Sequence, residues 1–357
     1  MLRVALLTSA RSWRGSGTSL ANIARGLAER GHTVQLLATT PAVTEGFAAQ
    51  GLPVRELPIR DTGLAEARIL VRALRELQSD VLLAEKPRDL RLGALASLVR
   101  RFALVYRHNV GEASPPSDPI VRLAYRRVAL TVFLTRAAEA QACAVAPFMV
   151  RPPRRVIYEA LDVGRFRPDE AGGRAFRERH GLGDRPFLLA VGALEREKRY
   201  DWLLDALTRF GAHGPPLLVC GEGGFAGLMR DQAARRGLTV RLLGFLPPDE
   251  LAAAYNAATC LVHACAVETF GLAIAEAMAC GRPVVAVGGA ALPEVLGDTG
   301  VLTPDDPEQF VLALAELLAD PPRRVALGNA ARARAVKLFA LDRMGREYAE
   351  ALEAAAS

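Results

Sequence analysis

Short apolar runs alternate with amphipathic helical patterns from the first residues of the chain. Arg3–Thr8 is an apolar run of strand length, residues 19–30 follow a helical period closed by Gly31, and residues 34–38 form a second apolar run. Because this order is that of a βαβ unit, it predicts a parallel sheet covered by helices. The first half continues with predicted helices at 64–78 and 90–101 and predicted strands at 81–84, 103–106 and 128–134.

The alternation of strands and helices repeats after residue 155. Predicted strands lie at 187–191, 217–220, 240–243, 259–262 and 284–287, and predicted helices lie at 201–210, 225–236, 248–257, 272–279, 307–318 and 321–338. The segment 149–168 is rich in Pro and Arg and is predicted to contain the linker. We therefore predict an α/β fold of two Rossmann-like domains whose parallel sheets face a central cleft. The boundaries are 1–155 and 156–335, with a C-terminal helix at 336–357 that packs back on the first domain.

Composition restricts the classes of protein that fit this pattern. The chain of 357 residues is 51% hydrophobic and 24% charged, as in folded globular proteins. No apolar run approaches the roughly 18 residues of a spanning helix, and residues 1–8 lack a cleavable signal, so we expect a cytoplasmic protein. The five cysteines are odd in number and have no paired CxxC spacing, which favours reduced core residues over disulfides or zinc ligands.

The charge of the chain is unevenly distributed. Residues 1–155 contain 23 Lys and Arg against 12 Asp and Glu, whereas residues 156–357 contain 22 against 27. A basic first half suits anionic lipid headgroups, a phosphorylated acceptor or nucleic acid, of which nucleic acid is the least favoured. Arginines on solvated helices explain the same count. The predicted helix at 88–101, which carries leucines and arginines, fits either an anionic membrane surface or ordinary packing on the sheet.

The most informative segment runs from Glu268 to Val285 and has the pattern of a loop, a helix, a turn and a strand. Gly271 allows a close backbone approach where the helix begins, so the free amides near Gly271 and Leu272 face outward and suit a pyrophosphate. Glu276, about one turn further on, is placed to accept hydrogen bonds from both hydroxyls of an attached ribose. Glu268 in the preceding loop is placed to reach sugar hydroxyls. The pattern predicts a nucleotide-sugar site.

The segment resembles the E-x7-E motif of the retaining GT-B glycosyltransferases of family 4, also called glycosyltransferase group 1. The similarity extends from Glu268 through Phe270, Gly271 and Leu272 to a glycine-rich stretch that ends in Glu294. It implies a nucleotide-sugar donor and a saccharide or lipid-linked acceptor. The nucleotide, whether UDP, GDP or ADP, stays open, because the family holds the base partly through main-chain groups.

Further family segments follow in the expected order. Residues 191–198 resemble a loop that binds the donor phosphates, which implies this role for Lys198; the usual Arg of that loop is Ala193, and Arg196 is either its replacement or a solvated side chain. Residues 218–223 and 243–246 resemble the segments that border the nucleotide, which implies donor contacts for Gly221, Phe245 and Leu246.

In the first half, residues 14–18 precede the predicted helix at 19–30 and lie where the family carries a glycine loop. The resemblance implies that Gly15 and Gly17 approach the donor phosphate. A dinucleotide fingerprint is the main rival, but the third glycine and the ribose-binding acid are missing, so NAD binding is not expected. The resemblance also implies that His108, at the end of the strand 103–106, faces the transferred sugar, with Asn109 beside it.

The resemblance implies retaining transfer of a hexose-type sugar, with His108, Lys198 and Glu268 as the residues of the reaction centre. No cofactor is expected, and no metal, because the sequence contains no DxD motif. Two alternatives stay open: a sugar-nucleotide 2-epimerase on the same scaffold, and a weakly catalytic nucleotide- or carbohydrate-binding homologue. The second alternative is suggested by Ala193, Ala160 and Ala264. Glu159 and Ala160 replace the Asn and Gly of one family motif, and His263 and Ala264 replace the Pro and Ser that usually precede the first glutamate.

Overall fold

The computed structural model of the protein describes residues 1–13, 15–109 and 119–357. These residues form two compact units. The first unit comprises residues 1–160 together with 341–357, and the second comprises residues 161–340. Both are built on parallel sheets covered by helices, which confirms the predicted α/β architecture of two Rossmann-like domains.

The sheet of the first unit has seven strands within its described residues, in the order β3-β2-β1-β4-β5-β6-β7, and every pairing is parallel. Its strands are β1 Arg3–Thr8, β2 Thr33–Ala38, β3 Val54–Glu56, β4 Val81–Ala84, β5 Ala103–His108, β6 Val128–Phe133 and β7 Arg154–Val156. The central strands β1 and β4 are apolar along almost their whole length because helices cover both faces. Strand order reverses between β1 and β4, the position where such folds place ligands.

The helices of the first unit are α1 Gly15–Ala28, α2 Pro41–Ala48, α3 Leu64–Glu76, α4 Pro87–Ala96, α5 Pro119–Ala124 and α6 Arg136–Val145. A last helix, Leu341–Ala356, numbered α15 in chain order, belongs to this unit and packs on α1. Gly26 and Gly345 let the two helices approach closely, since a Cβ atom on Gly26 would lie 2.7 Å from the Gly345 Cα. The buried side chains of Met344, Tyr348 and Leu352 join the core of the first unit.

The sheet of the second unit has six parallel strands among the residues described there, in the order β10-β9-β8-β11-β12-β13. They are β8 Leu188–Val191, β9 Leu217–Cys220, β10 Val240–Gly244, β11 Cys260–His263, β12 Val284–Val287 and β13 Val301–Thr303. The covering helices are α7 Glu170–Arg179, α8 Tyr200–Leu207, α9 Ala226–Arg235, α10 Pro248–Ala257, α11 Leu272–Ala279, α12 Leu292–Leu296, α13 Pro307–Ala319 and α14 Pro321–Leu338.

Several boundaries differ from the sequence prediction. Helix α1 begins at Gly15 rather than at residue 19, so Gly15 and Gly17 lie in its first turn and not in a preceding loop. Helix α4 ends at Ala96, because Ser97 closes it and the chain turns before β5. All five cysteines are free thiols, and the four at 220, 260, 265 and 280 are buried as predicted for core residues, whereas Cys143 is only partly buried. No helix of the described chain combines the length and apolarity needed to cross a membrane.

Candidate functional site

The predicted donor residues of the second unit gather at one edge of its sheet. Because all six strands are parallel, the segments that follow β8, β9, β10 and β11 leave from the same edge, and these strands are neighbours. The residues placed there are Lys198 after β8, Gly221 after β9, Phe245 and Leu246 after β10, and Glu268 after β11. The sequence prediction therefore selects residues that are far apart in the chain and adjacent in the fold.

Glycine backbone forms part of this edge. Gly221 has φ +141°, and a Cβ atom there would overlap the carbonyl oxygen of Gly192. The Gly221 amide donates to the Gly244 carbonyl at 2.8 Å, and the Gly192 amide donates to the Cys220 carbonyl at 3.0 Å. The loops after three adjacent strands thus run in direct backbone contact, a surface that only residues without side chains permit.

Gly271 fixes the start of helix α11. It is the N-cap residue with φ +91°, a left-handed conformation that favours glycine. Its carbonyl accepts the first helical hydrogen bonds, from Ile274 at 3.0 Å and Ala275 at 3.2 Å. The backbone amides between Gly271 and Ile274 therefore donate no hydrogen bond within the helix. They carry the partial positive charge of the helix N-terminus.

Glu268 lies between two basic side chains. The Lys198 ammonium forms an ion pair with its Oε1 atom, and the His263 Nε2 atom lies 3.3 Å from the same oxygen. Burial alone would raise the pKa of Glu268, but the adjacent His263 side chain and the charge of Lys198 outweigh burial and lower the pKa to about 2. Glu268 is therefore a stable anion that holds Lys198 at the sheet edge.

Glu276 has the opposite environment. Burial raises its pKa to about 7, and a hydrogen bond from Tyr255 Oη to Oε2, 2.8 Å long, only partly offsets the burial. In the free protein Glu276 thus changes its charge near neutral pH. A hydroxylated ligand that donates hydrogen bonds to this carboxylate would stabilise its ionised form.

The spacing of one group is also compatible with a metal ion. His263, Cys265 and Glu268 each offer a ligand atom, and the three atoms lie within 4.8 Å of one another. Lys198 is bonded to the same Glu268 carboxylate, so a fixed ammonium already supplies positive charge at this position.

The remaining predicted donor residues differ in exposure. Arg196 is exposed at the start of a short 3-10 helix, Arg196–Lys198. Phe245 is 66% exposed. Phe270 is buried, and its ring packs edge-on against Phe339 with centroids 5.1 Å apart. Its side chain therefore contributes to the packing of the loop and not to its exposed surface.

Sequence reasoning missed four residues of this edge: Arg199, Tyr200, His263 and Cys265. Arg199 has φ +56° and forms a two-pronged ion pair with Asp305. Tyr200 Oη donates to the Gly192 carbonyl at 3.2 Å and so braces the loop before Lys198. His263 is the last residue of β11. Because ligands bind at the carboxyl ends of parallel strands, the position of His263 at the end of a predicted strand could have indicated a place in the site.

In the first unit, His108 is the last residue of β5 and is almost fully buried. Its ring packs against Phe133 and Tyr106, with centroids 5.3 Å and 6.0 Å away. Gly17 lies under Trp13, whose ring atoms would be 2.9 Å from a Cβ at this position, whereas Gly15 is exposed. Arg14, which belongs to the predicted glycine loop, lies outside the described residues.

A buried ionic cluster adjoins His108. Arg107 forms ion pairs with Glu85, at 2.7 Å, and with Glu159. Its guanidinium also donates to Ser19 Oγ at 2.7 Å and to Tyr348 Oη at 3.2 Å. Sequence reasoning noted Glu159 only as a departure from a family motif; the structure gives it a counter-charge inside the first unit.

Comparisons with known proteins agree with this architecture. The family model described as "Glycosyl transferases group 1" matches residues 174–334, and the model described as "Glycosyltransferase Family 4" matches residues 13–165. The chain is 30% identical over 289 residues to a GDP-mannose-dependent alpha-(1-6)-phosphatidylinositol monomannoside mannosyltransferase of Mycolicibacterium smegmatis. This match covers 73% of this chain and 73% of the relative.

Two further similarities concern a second relative and a solved structure. The chain is 38% identical over 224 residues to a D-inositol 3-phosphate glycosyltransferase of Thermobispora bispora, covering 57% of this chain and 52% of the relative. The structure of Anabaena HepE in complex with UDP and glucose superposes with a TM-score of 0.86 at 21% identity, covering 99% of this chain and 100% of HepE. The superposition on HepE shows the GT-B fold.

The fold and these matches together define a class. The chain belongs to the family 4, group 1 glycosyltransferases and has the GT-B architecture of two Rossmann-like domains. It is a glycosyltransferase.

Proposed function

We propose that the protein is a retaining, metal-independent transferase that moves a hexose-type sugar from a nucleotide-diphosphate sugar to a saccharide or lipid-linked acceptor. The observation that carries the proposal is a set of three elements at helix α11 and the loop before it. They are the N-terminus of α11 at Gly271, the Lys198–Glu268–His263 group, and the Glu276–Tyr255 pair.

Each element fits one part of the donor. The first-turn amides of α11 and the Lys198 ammonium suit the diphosphate, since both supply positive charge without a metal. Glu276 suits the two ribose hydroxyls, because one carboxylate accepts two hydrogen bonds. The exposed ring of Phe245 suits the face of the base, and Glu268 lies beside Lys198 where the sugar attached to the diphosphate would begin.

The names of similar proteins support a nucleotide-sugar donor. One relative is named as GDP-mannose-dependent, and the HepE structure was solved with UDP and glucose. Both named relatives act on inositol-containing acceptors, one of them a lipid. For this chain, the choice between GDP-linked and UDP-linked donors is the first property to measure.

The proposed chemistry relies on charge and position. As the bond to the anomeric carbon breaks, negative charge grows on the leaving diphosphate, and Lys198 with the α11 amides stabilises that charge. In retaining transfer without a covalent intermediate, the acceptor attacks from the face that the diphosphate leaves, and the departing phosphate takes the acceptor proton. His108 in the first unit is assigned to the transferred sugar.

Donor and stereochemistry can be tested together. A thermal-shift screen of nucleotides and nucleotide sugars identifies the donor, since a ligand at 100 times its Kd stabilises the folded state by about 2.7 kcal/mol. Proton NMR of the first-formed product then reports the anomeric configuration. Product with the donor's configuration in the presence of EDTA is expected; an inverted product, or activity lost to EDTA, contradicts the proposal. Formation of an epimerised nucleotide sugar without acceptor would instead indicate a 2-epimerase.

A lipid-linked acceptor would require contact with the cytoplasmic face of a membrane, and one surface of the first unit suits it. A hollow of about 480 Å³ is lined by four arginines, Arg100, Arg101, Arg126 and Arg127. Leu98 and Val99, which also line it, are each 65% exposed. Leu90 and Leu92 of α4 are fully buried, so the apolar contact with lipid is assigned to the turn after α4 and not to the face of the predicted helix.

The charge around this arginine hollow favours anionic lipid. The sequence contains no Asp or Glu from residue 90 to 111 or from residue 119 to 138. Arg100 and Arg127 also bond to the carbonyls of Ser79 and Ser97, at 2.7 Å and 2.8 Å, which keeps the loop in place. Arg101 and Arg126 are exposed and are the better positions for substitution.

Flotation with phosphatidylcholine vesicles that contain about one third phosphatidylglycerol tests the contact. Arg101→Gln and Arg126→Gln are each expected to reduce binding about fivefold, because one cation near an anionic surface contributes about 1 kcal/mol. Leu98→Ser should reduce binding further. Arg230→Gln with Arg235→Gln on α9 of the second unit is the matched control and should leave binding unchanged. Equal binding to vesicles without anionic lipid, or an equal loss in the control, overturns the assignment.

A further inference from the structure

A single buried carboxylate holds both neighbours of His108. Glu85, immediately after β4, is fully buried. Its Oε1 atom accepts a hydrogen bond from Arg107 Nη1 at 2.7 Å and one from Asn109 Nδ2 at 2.7 Å. Its Oε2 atom accepts a third from Thr8 Oγ1 at 3.0 Å. Strands β1, β4 and β5, which are neighbours in the sheet, are thereby linked at their carboxyl ends.

The alternation of side chains along β5 gives this arrangement a consequence for His108. Successive side chains of a strand point to opposite faces, so Arg107 and His108 point away from each other. Asn109 follows the end of the strand, and its bond to the same Glu85 oxygen places its side chain on the side of Arg107. The contacts agree, since Arg107 bonds Tyr348 on one side whereas His108 packs on Phe133 on the other. One oxygen of Glu85 therefore restrains the backbone on both sides of His108, and with it the direction of the imidazole.

Arg107 is itself held from a second direction. Glu159 forms an ion pair with it and accepts a hydrogen bond from Ser19, the fifth residue of α1. Burial alone would lower the pKa of Arg107, but Glu159, Tyr348 and Glu85 outweigh burial and raise the pKa above its usual value. Arg107 thus stays cationic, and its two carboxylates compensate the buried charge.

We propose that Glu85 is a positioning residue of the transfer reaction, which fixes the imidazole of His108 through Arg107 and Asn109 while Glu159 holds Arg107 from the other side. The proposal rests on the proposed function, because it takes His108 as the group that faces the transferred sugar. It goes beyond that function by assigning the buried residues that set the direction of His108.

Glu85→Gln tests the charge of this carboxylate with the least change of shape. The amide oxygen still accepts from Arg107 and Asn109, but the ion pair is lost. We expect kcat to fall at least tenfold with the donor KM within twofold of wild type, because Glu85 bonds to Thr8, Arg107 and Asn109 and to none of the proposed donor residues. Asn109→Ala removes one of the two flanking bonds and should lower kcat in the same way. Wild-type kcat in both Glu85→Gln and Asn109→Ala overturns the proposal.

Thr8→Val is the matched control. It removes the third hydrogen bond to the same carboxylate without altering either neighbour of His108. We expect a fall in melting temperature similar to that of Glu85→Gln, with kcat within twofold of wild type. If kcat follows the melting temperature in all three variants, the role of Glu85 is only structural and the proposal is wrong.

A double-variant cycle closes the test. If Glu85 acts through His108, then Glu85→Gln should slow transfer no further in a His108→Ala background. A slow His108→Ala enzyme that Glu85→Gln slows again overturns the positioning role alone. A His108→Ala enzyme with wild-type kcat removes the role assigned to His108 in the proposed function, and the positioning role with it. Donor affinity, measured separately in Glu276→Gln, tests the donor site without reference to either residue.

Discussion

Glu268 lies in the loop before α11 and Glu276 lies within that helix, and the pKa values of these two glutamates differ because their surroundings differ. His263 and Lys198 overcome the effect of burial at Glu268 and lower its pKa to about 2, whereas burial dominates at Glu276 and raises its pKa to about 7. A permanent anion suits a residue that holds a lysine. A carboxylate that ionises near neutral pH makes ligand binding depend on pH, because ribose hydroxyls prefer the ionised form.

The first prediction concerns Glu276 and pH. With a pKa of about 7, the ionised fraction of Glu276 rises about tenfold between pH 6 and pH 8, so nucleotide-sugar affinity should rise by up to about tenfold over the same range. Titration calorimetry with the nucleotide sugar measures this effect, since its diphosphate does not itself titrate there. Glu276→Gln should bind more weakly and without this pH dependence. Flat wild-type affinity would contradict the ribose assignment.

The same pKa has a consequence for stability. A carboxyl group whose pKa is raised by folding contributes stability that is fully present below its unfolded pKa, near 4.5, and is lost as the pH rises through about 7. The ligand-free protein should therefore lose more stability between pH 6 and pH 8 than Glu276→Gln does. Chemical denaturation at the two pH values measures the difference, and an identical loss in both proteins would reject the raised pKa.

The second prediction concerns Lys198. Lys198→Met keeps the length of the side chain but removes the ammonium that is bonded to Glu268 and assigned to the leaving diphosphate. We expect kcat/KM to fall at least about thirtyfold, equivalent to about 2 kcal/mol of transition-state stabilisation. Arg196→Gln is the matched control in the same loop, and its effect should be much smaller because Arg196 is exposed. Unchanged kinetics in Lys198→Met would reject the phosphate role.

At the scale of elements, the site depends on loops that follow parallel strands and pack backbone to backbone. Gly221, Gly192 and Gly244 form hydrogen-bonded contacts between three such loops. Helix α11 adds a fixed N-terminus, because Gly271 takes the left-handed conformation from which the helix can begin. This edge of the second sheet is therefore shaped mainly by main-chain geometry, and a few charged side chains are added to it.

The third prediction tests this backbone contact. Gly221→Ala places a Cβ atom against the Gly192 carbonyl and should destabilise the protein by about 2 kcal/mol or more, with a raised donor KM. Gly224→Ala, three residues later, is the control, because a Cβ there meets no atom within 4 Å. Thermal denaturation and steady-state kinetics measure both effects. Equal behaviour of the two variants would show that the loop relaxes and that the contact is not required.

The elements that the sequence predicted best are apolar runs of four or more residues and helices with a regular period. Pro248–Ala257, Leu272–Ala279 and Pro321–Leu338 agree with the structure to the residue. Strands β3, β7 and β13 were missed because each has only three residues, too few to show a period, and two of them consist largely of charged residues. The start of α1 was misplaced because two glycines in a first turn read as a loop.

At the scale of the whole chain, the candidate site was predictable where its residues follow a local pattern and not where they depend on distant partners. Glu268, Gly271 and Glu276 lie in one segment, and the sequence indicates their roles. The contact of His263 with Glu268 follows from two separate positions on one sheet edge. The ion pair of Arg107 with Glu159 joins residues 52 positions apart, and its bond to Tyr348 spans 241 positions. The periodic pattern of apolar and polar residues gives no information about such long-range pairs.

Helix α15 illustrates the longest of these connections. It follows the second unit in the chain, yet it packs on α1 and completes the core of the first unit through Met344, Tyr348 and Leu352. Helix α15 therefore contributes to the packing of the first unit, which contains His108. Any change that weakens α15 should be felt in the first unit before the second.

The fourth prediction concerns this helix. Gly345→Ala would place a Cβ atom 2.6 Å from the Arg30 guanidinium and 2.8 Å from the Gly26 Cα, so α15 must move away from α1. We expect a loss of about 2 kcal/mol, and faster hydrogen exchange in α1 and α15 than in α11 of the second unit. Gly227→Ala, in α9, is the control of opposite sign: its Cβ meets nothing within 4 Å, and alanine stabilises a helix relative to glycine by about 0.5–1 kcal/mol. If exchange in both units accelerates equally in Gly345→Ala, the two units unfold as one cooperative body and α15 serves the whole chain.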